Sequence, residues 1–328
     1  DDAKAKLQTV LELCAKTVEV AENNGFGQLE AILLVKRFLE EQGSFDLETG
    51  SWIAKDSKEL NSGCLQSAHD PDATFIQKGN EGHVGFVANI SETCHDDNPV
   101  QLITDYSVEK NNVHDTKLLA DRMEAIRETG AEELYLDGGY YSEDIVNKAE
   151  EKEITLHFTD MTGTEPNPDK LPITDFEIED NAIKSCPMGK KPVVSYHDAE
   201  TGKITAHFDL RECRKCEHYE NCPSRKGRKS AIVVITPKAL AAAQTRKSIK
   251  ENGKLNTSKR AAIEGTNSAL KRTGANELRV RTLIKTRIVF GLKVISRNIR
   301  QLWRYFAGDF RRKRIRGSSV QKQALAIA

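Results

Sequence analysis

The chain has 328 residues and a mass of 36.6 kDa, with 38% hydrophobic and 30% charged residues and a mean hydropathy of −0.54. That length suits one large domain carrying an insertion, or two domains, and the composition excludes collagen, a coiled coil and full disorder. No window approaches the roughly 18 apolar residues of a membrane span, so no membrane is expected as a partner.

The formal net charge of zero hides a division. Residues 1–224 hold 22 Lys and Arg against 45 Asp and Glu, whereas residues 225–317 hold 26 against four. A half this basic points to a polyanion such as nucleic acid; the plainer alternative is two halves that neutralise each other. The start at Asp1-Asp2-Ala3 shows no secretory leader and no Met, so a fragment of a longer cytoplasmic protein is expected.

In chain order, apolar residues at helical spacing predict helices over 3–21 and 28–42, and residues 44–80 read as polar and turn-rich. The period then changes to that of strands. Residues 84–90 and 100–108 are expected to pair across a hairpin loop at His95–Pro99. A helix over 115–129, a short strand over 133–137, a helix over 142–152 and a strand over 154–158 follow. This is mixed α/β alternation rather than a plain doubly wound series. Residues 160–180 read as a boundary and 181–230 as a loop-rich module. Beyond Pro237 the chain is helical and basic, with helices over 238–250, 256–272 and 279–306. The last carries Val280, Ile284, Ile288, Leu292, Ile295, Ile299, Leu302 and Phe306 on an expected inner stripe.

Two acids stand out. Asp137 ends an apolar strand before Gly138-Gly139, where open α/β sheets present functional groups; the alternative is a cap for the helix starting near Ser142. Glu264 is a rare acid in the basic half, on a helix with Lys259, Arg260, Lys271 and Arg272. Those cations suit phosphate contacts and the acid suits a divalent metal; the alternative is an Arg260–Glu264 ion pair at i,i+4. Cys186, Cys213, Cys216 and Cys222 cluster, with a C-x₂-C pair at their centre. A structural zinc site is expected from them, His218 being a substitute ligand; reduced cysteines without metal are the alternative. The arginines and lysines of 279–304 face away from the apolar stripe and are expected at phosphate; the alternative is solvated faces packed on the acidic half.

Taken in order, these residues resemble the DDE transposases of bacterial insertion sequences, in the branch with a cysteine-bearing insertion. The likeness runs from about His69 to Phe306. It includes Asp70-Pro71-Asp72-Ala73-Thr74-Phe75, Ile103-Thr104-Asp105, Asn112-Val113-His114-Asp115, Asp137-Gly138-Gly139-Tyr140, and Glu264 with Lys271-Arg272. The resemblance implies an α/β fold: an RNase-H-like mixed sheet flanked by helices, with a helical N-terminal segment and an inserted cysteine-rich module. The expected division is 1–43 for the helical segment, 69–160 for the first part of the catalytic domain, 161–235 for the insertion, 236–310 for its helical C-terminal part and 311–328 for a basic flexible tail.

The resemblance also implies Mg²⁺ or Mn²⁺ held by three carboxylates, with double-stranded DNA as partner, both transposon ends and target. Asp137 and Glu264 look like the second and third acids. The first is Asp72 or an Asp upstream of Asp1, with Asp105 a further alternative. Lys259, Arg260, Lys271 and Arg272 are the DNA-binding residues, a homodimer on DNA is expected, and the place is the bacterial cytoplasm and nucleoid. From a different class comes a catalytically inactive, transposase-derived DNA-binding protein.

Overall fold

The structure is a computed structural model and describes residues 2–161, 163, 165–308 and 323–327. Helices α1 (Asp2–Asn23) and α2 (Glu30–Gln42) precede strands β1 (Gly43–Asp46), β2 (Ser51–Ala54), β3 (Thr74–Lys78), β4 (Glu81–Thr93) and β5 (Ile103–Lys110). Next come α3 (Asp115–Glu128), β6 (Ala131–Leu136), α4 (Glu143–Glu151) and β7 (Thr155–Phe158). The following segment holds β8 (Glu177–Glu179), β9 (Ala182–Ser185), β10 (Val194–His197), β11 (Ile204–Asp209), α5 (Leu210–Cys213), β12 (Arg225–Lys226) and β13 (Ser230–Ile235). Two long helices, α6 (Pro237–Arg272) and α7 (Leu283–Phe306), precede β14 (Gln323–Ile327). The fold is thus mixed α/β with several sheets. Of the expected tail, residues 311–322 and 328 lie outside the described residues, and the rest is β14.

The chain divides into two compact units. The first takes the chain up to Ile90, then Leu102–Leu118, then the chain from Thr266; the second takes Ser91–Gln101, Leu119–Gly265 and β14.

In the first unit, α1 and α2 bury Leu11 and Leu39 against Ala54 of β2, with Leu7, Val18, Phe38 and Trp52 packed around them. β1 and β2 form an antiparallel hairpin, Gly43 opposite Ala54, in a stretch that turn residues alone had suggested to be irregular. β3 and β4 form a second hairpin, Thr74 opposite Gly85. Helix α7 lies on β5. Asn298 brackets the backbone of Ile103, donating to its carbonyl at 2.8 Å and accepting from its N–H at 3.0 Å. Arg287 Nε donates to the Val108 carbonyl at 2.9 Å. Gly291 allows this approach: a Cβ there would collide with the Tyr106 hydroxyl and lie 2.8 Å from its ring Cζ.

The face that α7 buries is not the expected stripe. Thr286, Phe290, Gly291, Val294 and Gln301 are buried. Ile284, Ile288, Leu292, Ile295, Ile299, Trp303 and Phe306 are instead 55 to 80% exposed. Periodicity locates an apolar row but not its cover. Here the row with small and hydrogen-bonding residues makes the close contact, because it lets the helix approach a strand backbone.

In the second unit, β6 runs parallel to β7, with Leu136 opposite Phe158, and parallel to β14, which also pairs antiparallel with Ser91–Thr93. The buried run Leu134, Tyr135 and Leu136 gives β6 the near-continuous apolar character of a parallel strand covered by helices. Its core takes Leu119, Met123 and Ile126 from α3 and Ile145 and Ala149 from α4. The same unit contains the sheet β10-β11-β13-β12 and the β8–β9 hairpin, closed over Phe176, Ile183, Phe208 and Val233.

Candidate active site

β6 is buried to its last residue, Leu136, so Asp137 emerges from the core at the strand's carboxyl end. The backbone then makes a 3-10 turn over Gly138–Tyr140. Helix α4 begins only after Ser142, whose Oγ accepts from Ile145 N–H at 3.2 Å. Ser142 is therefore the cap, and the Asp137 side chain makes no capping bond. That leaves its carboxylate available for another partner.

The partner comes from α6. Arg260 Nη2 donates to Asp137 Oδ2 at 2.6 Å, and Nη1 of the same guanidinium donates to Glu264 Oε1 at 3.0 Å. The i,i+4 ion pair expected as an alternative for Glu264 does form. Its cation also reaches an acid 123 residues upstream. Both carboxylates sit on one planar fork, so their bonded oxygens lie within about 8 Å of each other. Arg260 is the least exposed of the three, and its Nε is buried without a hydrogen-bond partner.

Asp160 was given no role by sequence reasoning. It follows β7 much as Asp137 follows β6, and its Oδ1 accepts from Gly138 N–H at 2.7 Å. The turn depends on glycine at this point, because a Cβ on residue 138 would lie 2.7 Å from Asp160 Oδ1 and 2.9 Å from its carbonyl carbon. The signal for Asp160 was present in the sequence: an acid just past an apolar strand, on the neighbour parallel to β6.

The other expected site residues have different occupations. Asp72 Oδ2 accepts from Leu283 N–H at 3.0 Å, and Asp70 Oδ1 from Thr282 N–H at 3.0 Å. Both therefore satisfy the first N–H groups of α7 and place negative charge at its positive end. Lys259 is largely buried; it is paired with Asp96 at 2.6 Å and donates to the Cys94 carbonyl at 3.3 Å. Lys271 and Arg272 are exposed in the last turn of α6.

Cys186, Cys213, Cys216 and Cys222 line one cavity, and all are free thiols. Two local turns resemble ligand loops: Gly189 N–H donates to the Cys186 carbonyl at 2.8 Å, and Cys216 N–H to that of Cys213 at 3.0 Å. Even so, no group of three or more His, Cys, Asp or Glu is placed to hold a metal ion among the described residues. The expected zinc set is therefore not supported by the geometry of the described residues. Cys186, Cys213 and Cys222 pack against the apolar core. Burial pushes the Cys213 thiol up, and the neighbouring Cys222, Cys186 and Cys216 push it further, which keeps it protonated. Asp137 and Glu264 likewise belong to no group of three such residues placed to hold a metal ion among the described residues. The pair is of the oxygen type that Mg²⁺ and Mn²⁺ take, and it already holds a cation in Arg260, so the donors fit in kind but fall short in number.

No helix is long and apolar enough to cross a membrane among the described residues. Residues 185–303 match a family model described as a transposase DDE domain, which supports the resemblance to a DDE transposase. The matched segment includes Arg260 and Glu264. No curated protein and no solved structure matches the chain.

Proposed function

From the similarity of residues 185–303 to a transposase DDE domain, we propose that the chain is the RNase-H-like catalytic part of a DDE transposase acting on duplex DNA. The observation that carries this reading is the shared guanidinium. Two carboxylates 127 positions apart in sequence, Asp137 at a strand end and Glu264 on a helix, converge on one cation.

In this reading, Asp137 and Glu264 are two of the acids that hold divalent metal, and the third comes from a residue not gathered with them. Mg²⁺ or Mn²⁺, when bound, would neutralise charge on the attacking and leaving oxygens of an in-line phosphoryl transfer. The chain's own groups orient that site. Ser142 caps α4, so Asp137 is not needed there. Gly138 brings the turn against Asp160. The exposed Lys271 and Arg272 offer sequence-blind phosphate contacts, to transposon ends and target alike.

The test uses the full-length protein. Asp137→Asn and Glu264→Gln should each abolish end cleavage and strand transfer on a supercoiled donor plasmid while leaving duplex binding intact or tighter, because each removes a negative charge. Full transfer activity in either variant would falsify the assignment. A second reading is a transposase-derived DNA-binding protein without catalysis. That reading expects duplex binding and no transfer from the unaltered protein.

A further inference from the structure

Resting on that reading, we propose that Arg260 is a latch on the metal site, making divalent-metal binding at Asp137 and Glu264 contingent on DNA. The oxygens that accept from Arg260 are Asp137 Oδ2 and Glu264 Oε1, one from each carboxylate that would hold the metal. A guanidinium and a divalent cation repel each other and compete for the same two carboxylates, so each occupancy weakens the other. Without metal, two acids brought this close need a positive partner, and Arg260 supplies it from the same helix as Glu264.

The pose leaves the guanidinium incompletely satisfied. Nη1 and Nη2 are bonded, but Nε is buried with no acceptor. Buried donors are normally paired, so an orphan here marks an arrangement held by its two carboxylates rather than fitted on every side. A phosphate offers the fork a better match, since it can take two parallel N–H bonds from a guanidinium at once. DNA would draw Arg260 off the acids, and the vacated acids would take the metal. Coupling of this kind is reciprocal: DNA tightens metal binding by the factor with which metal tightens DNA binding.

The probe is Mn²⁺, followed by the electron paramagnetic resonance of the free ion, with the whole chain at constant ionic strength. The proteins are wild type, Arg260→Gln and Arg260→Lys, each with and without a duplex, and with Asp137→Asn as the background for ions condensed on DNA. Thermal melts establish that each variant is folded. Without DNA, Arg260→Gln should bind Mn²⁺ about tenfold more tightly than wild type, within the range usual for coupled sites. Arg260→Lys keeps the charge but loses the planar fork, and should fall between the two. Duplex should tighten Mn²⁺ binding for wild type by a similar factor and leave Arg260→Gln nearly unchanged. Equal Mn²⁺ affinity in wild type and Arg260→Gln, or equal tightening of both by duplex, overturns the latch while leaving the metal site standing. No binding above the Asp137→Asn background by any of the proteins, with or without duplex, overturns the metal-site reading and the latch with it.

Discussion

Asn256 Nδ2 donates to the carbonyl oxygen of Phe158 at 2.9 Å, across 98 residues of sequence. The asparagine is almost wholly buried, so the bond forms where water cannot substitute for it. It fastens α6 to the last residue of β7. Arg260 follows one turn later and Glu264 two turns later, on the same side of the helix. The spatial relation between the helix and the strand-end acids therefore starts from a residue that carries no charge.

Asn256→Ala should lower the free energy of unfolding by about 1–3 kcal/mol, because it strands a buried carbonyl. Chemical denaturation read by circular dichroism measures this. Unchanged stability would mean that Asn256 does not anchor the helix.

Gly138→Ala should cost about 1–3 kcal/mol, the usual range for forcing extra atoms into a packed site. Asp160→Ala in the same chain should recover only part of the loss. It removes the carboxylate, but the backbone carbon of residue 160 stays within 2.9 Å of the new methyl. Complete recovery would show that the carboxylate alone was in the way.

His157 stacks on Tyr135 with ring centroids 4.6 Å apart. Burial holds its imidazole below the ordinary value of 6.5, and Glu133 opposes that shift more weakly. The folded value is the lower one, so the unfolded chain takes up the proton first as pH falls. The stabilisation is complete above pH 6.5 and is lost on acidification through the folded value. Urea midpoints should decline between about pH 7 and pH 5, and His157→Phe, which preserves the stack, should decline less. Identical declines would assign the pH dependence to other groups.

Lys271 and Arg272 should contribute to the salt dependence of duplex binding. Replacing both by Ala should flatten the slope of log affinity against log salt by roughly two units, at about 0.9 per phosphate contact. Lys259→Ala should leave the slope unchanged, because Lys259 is largely buried and already paired with Asp96. Equal flattening by Lys259→Ala would place DNA on the other side of the helix.

Much of the element order was legible because periodicity reports burial directly. The helices near 3–21, 28–42 and 115–129 and the strands flanking His95–Pro99 are close to the observed elements. The single helix α6 was not legible. The run Glu251-Asn252-Gly253 reads as a break, yet the helix continues through it. One glycine costs only about 1 kcal/mol in a helix, and tertiary anchoring at Asn256 outweighs that. In the candidate site, Asp137 and Glu264 were visible as a strand-end acid and an isolated acid among cations. Their bridge was not, since an i,i+4 pair on a helix does not reveal a third member from a distant strand. The contact of Asp72 with Leu283 N–H, 211 residues away, was not legible from the motif around it. The exposed row of α7 misled because apolar spacing is the same whether or not anything covers it.

That row has a colloidal consequence. Seven large apolar side chains stand in solvent along one helix, while the chain as a whole has a formal net charge of zero and an isoelectric point near 7.2. Close to neutral pH, no overall electrostatic repulsion keeps two molecules apart, and an apolar ridge invites them together. The solubility minimum should fall near pH 7, where most handling is done. Moving a unit or more to either side should improve recovery, and so should replacing Ile288 and Ile295 by Glu. The basic and acidic halves are each strongly charged, but their charges cancel in the net value, so the protein lacks the protection against clumping that either half would have alone.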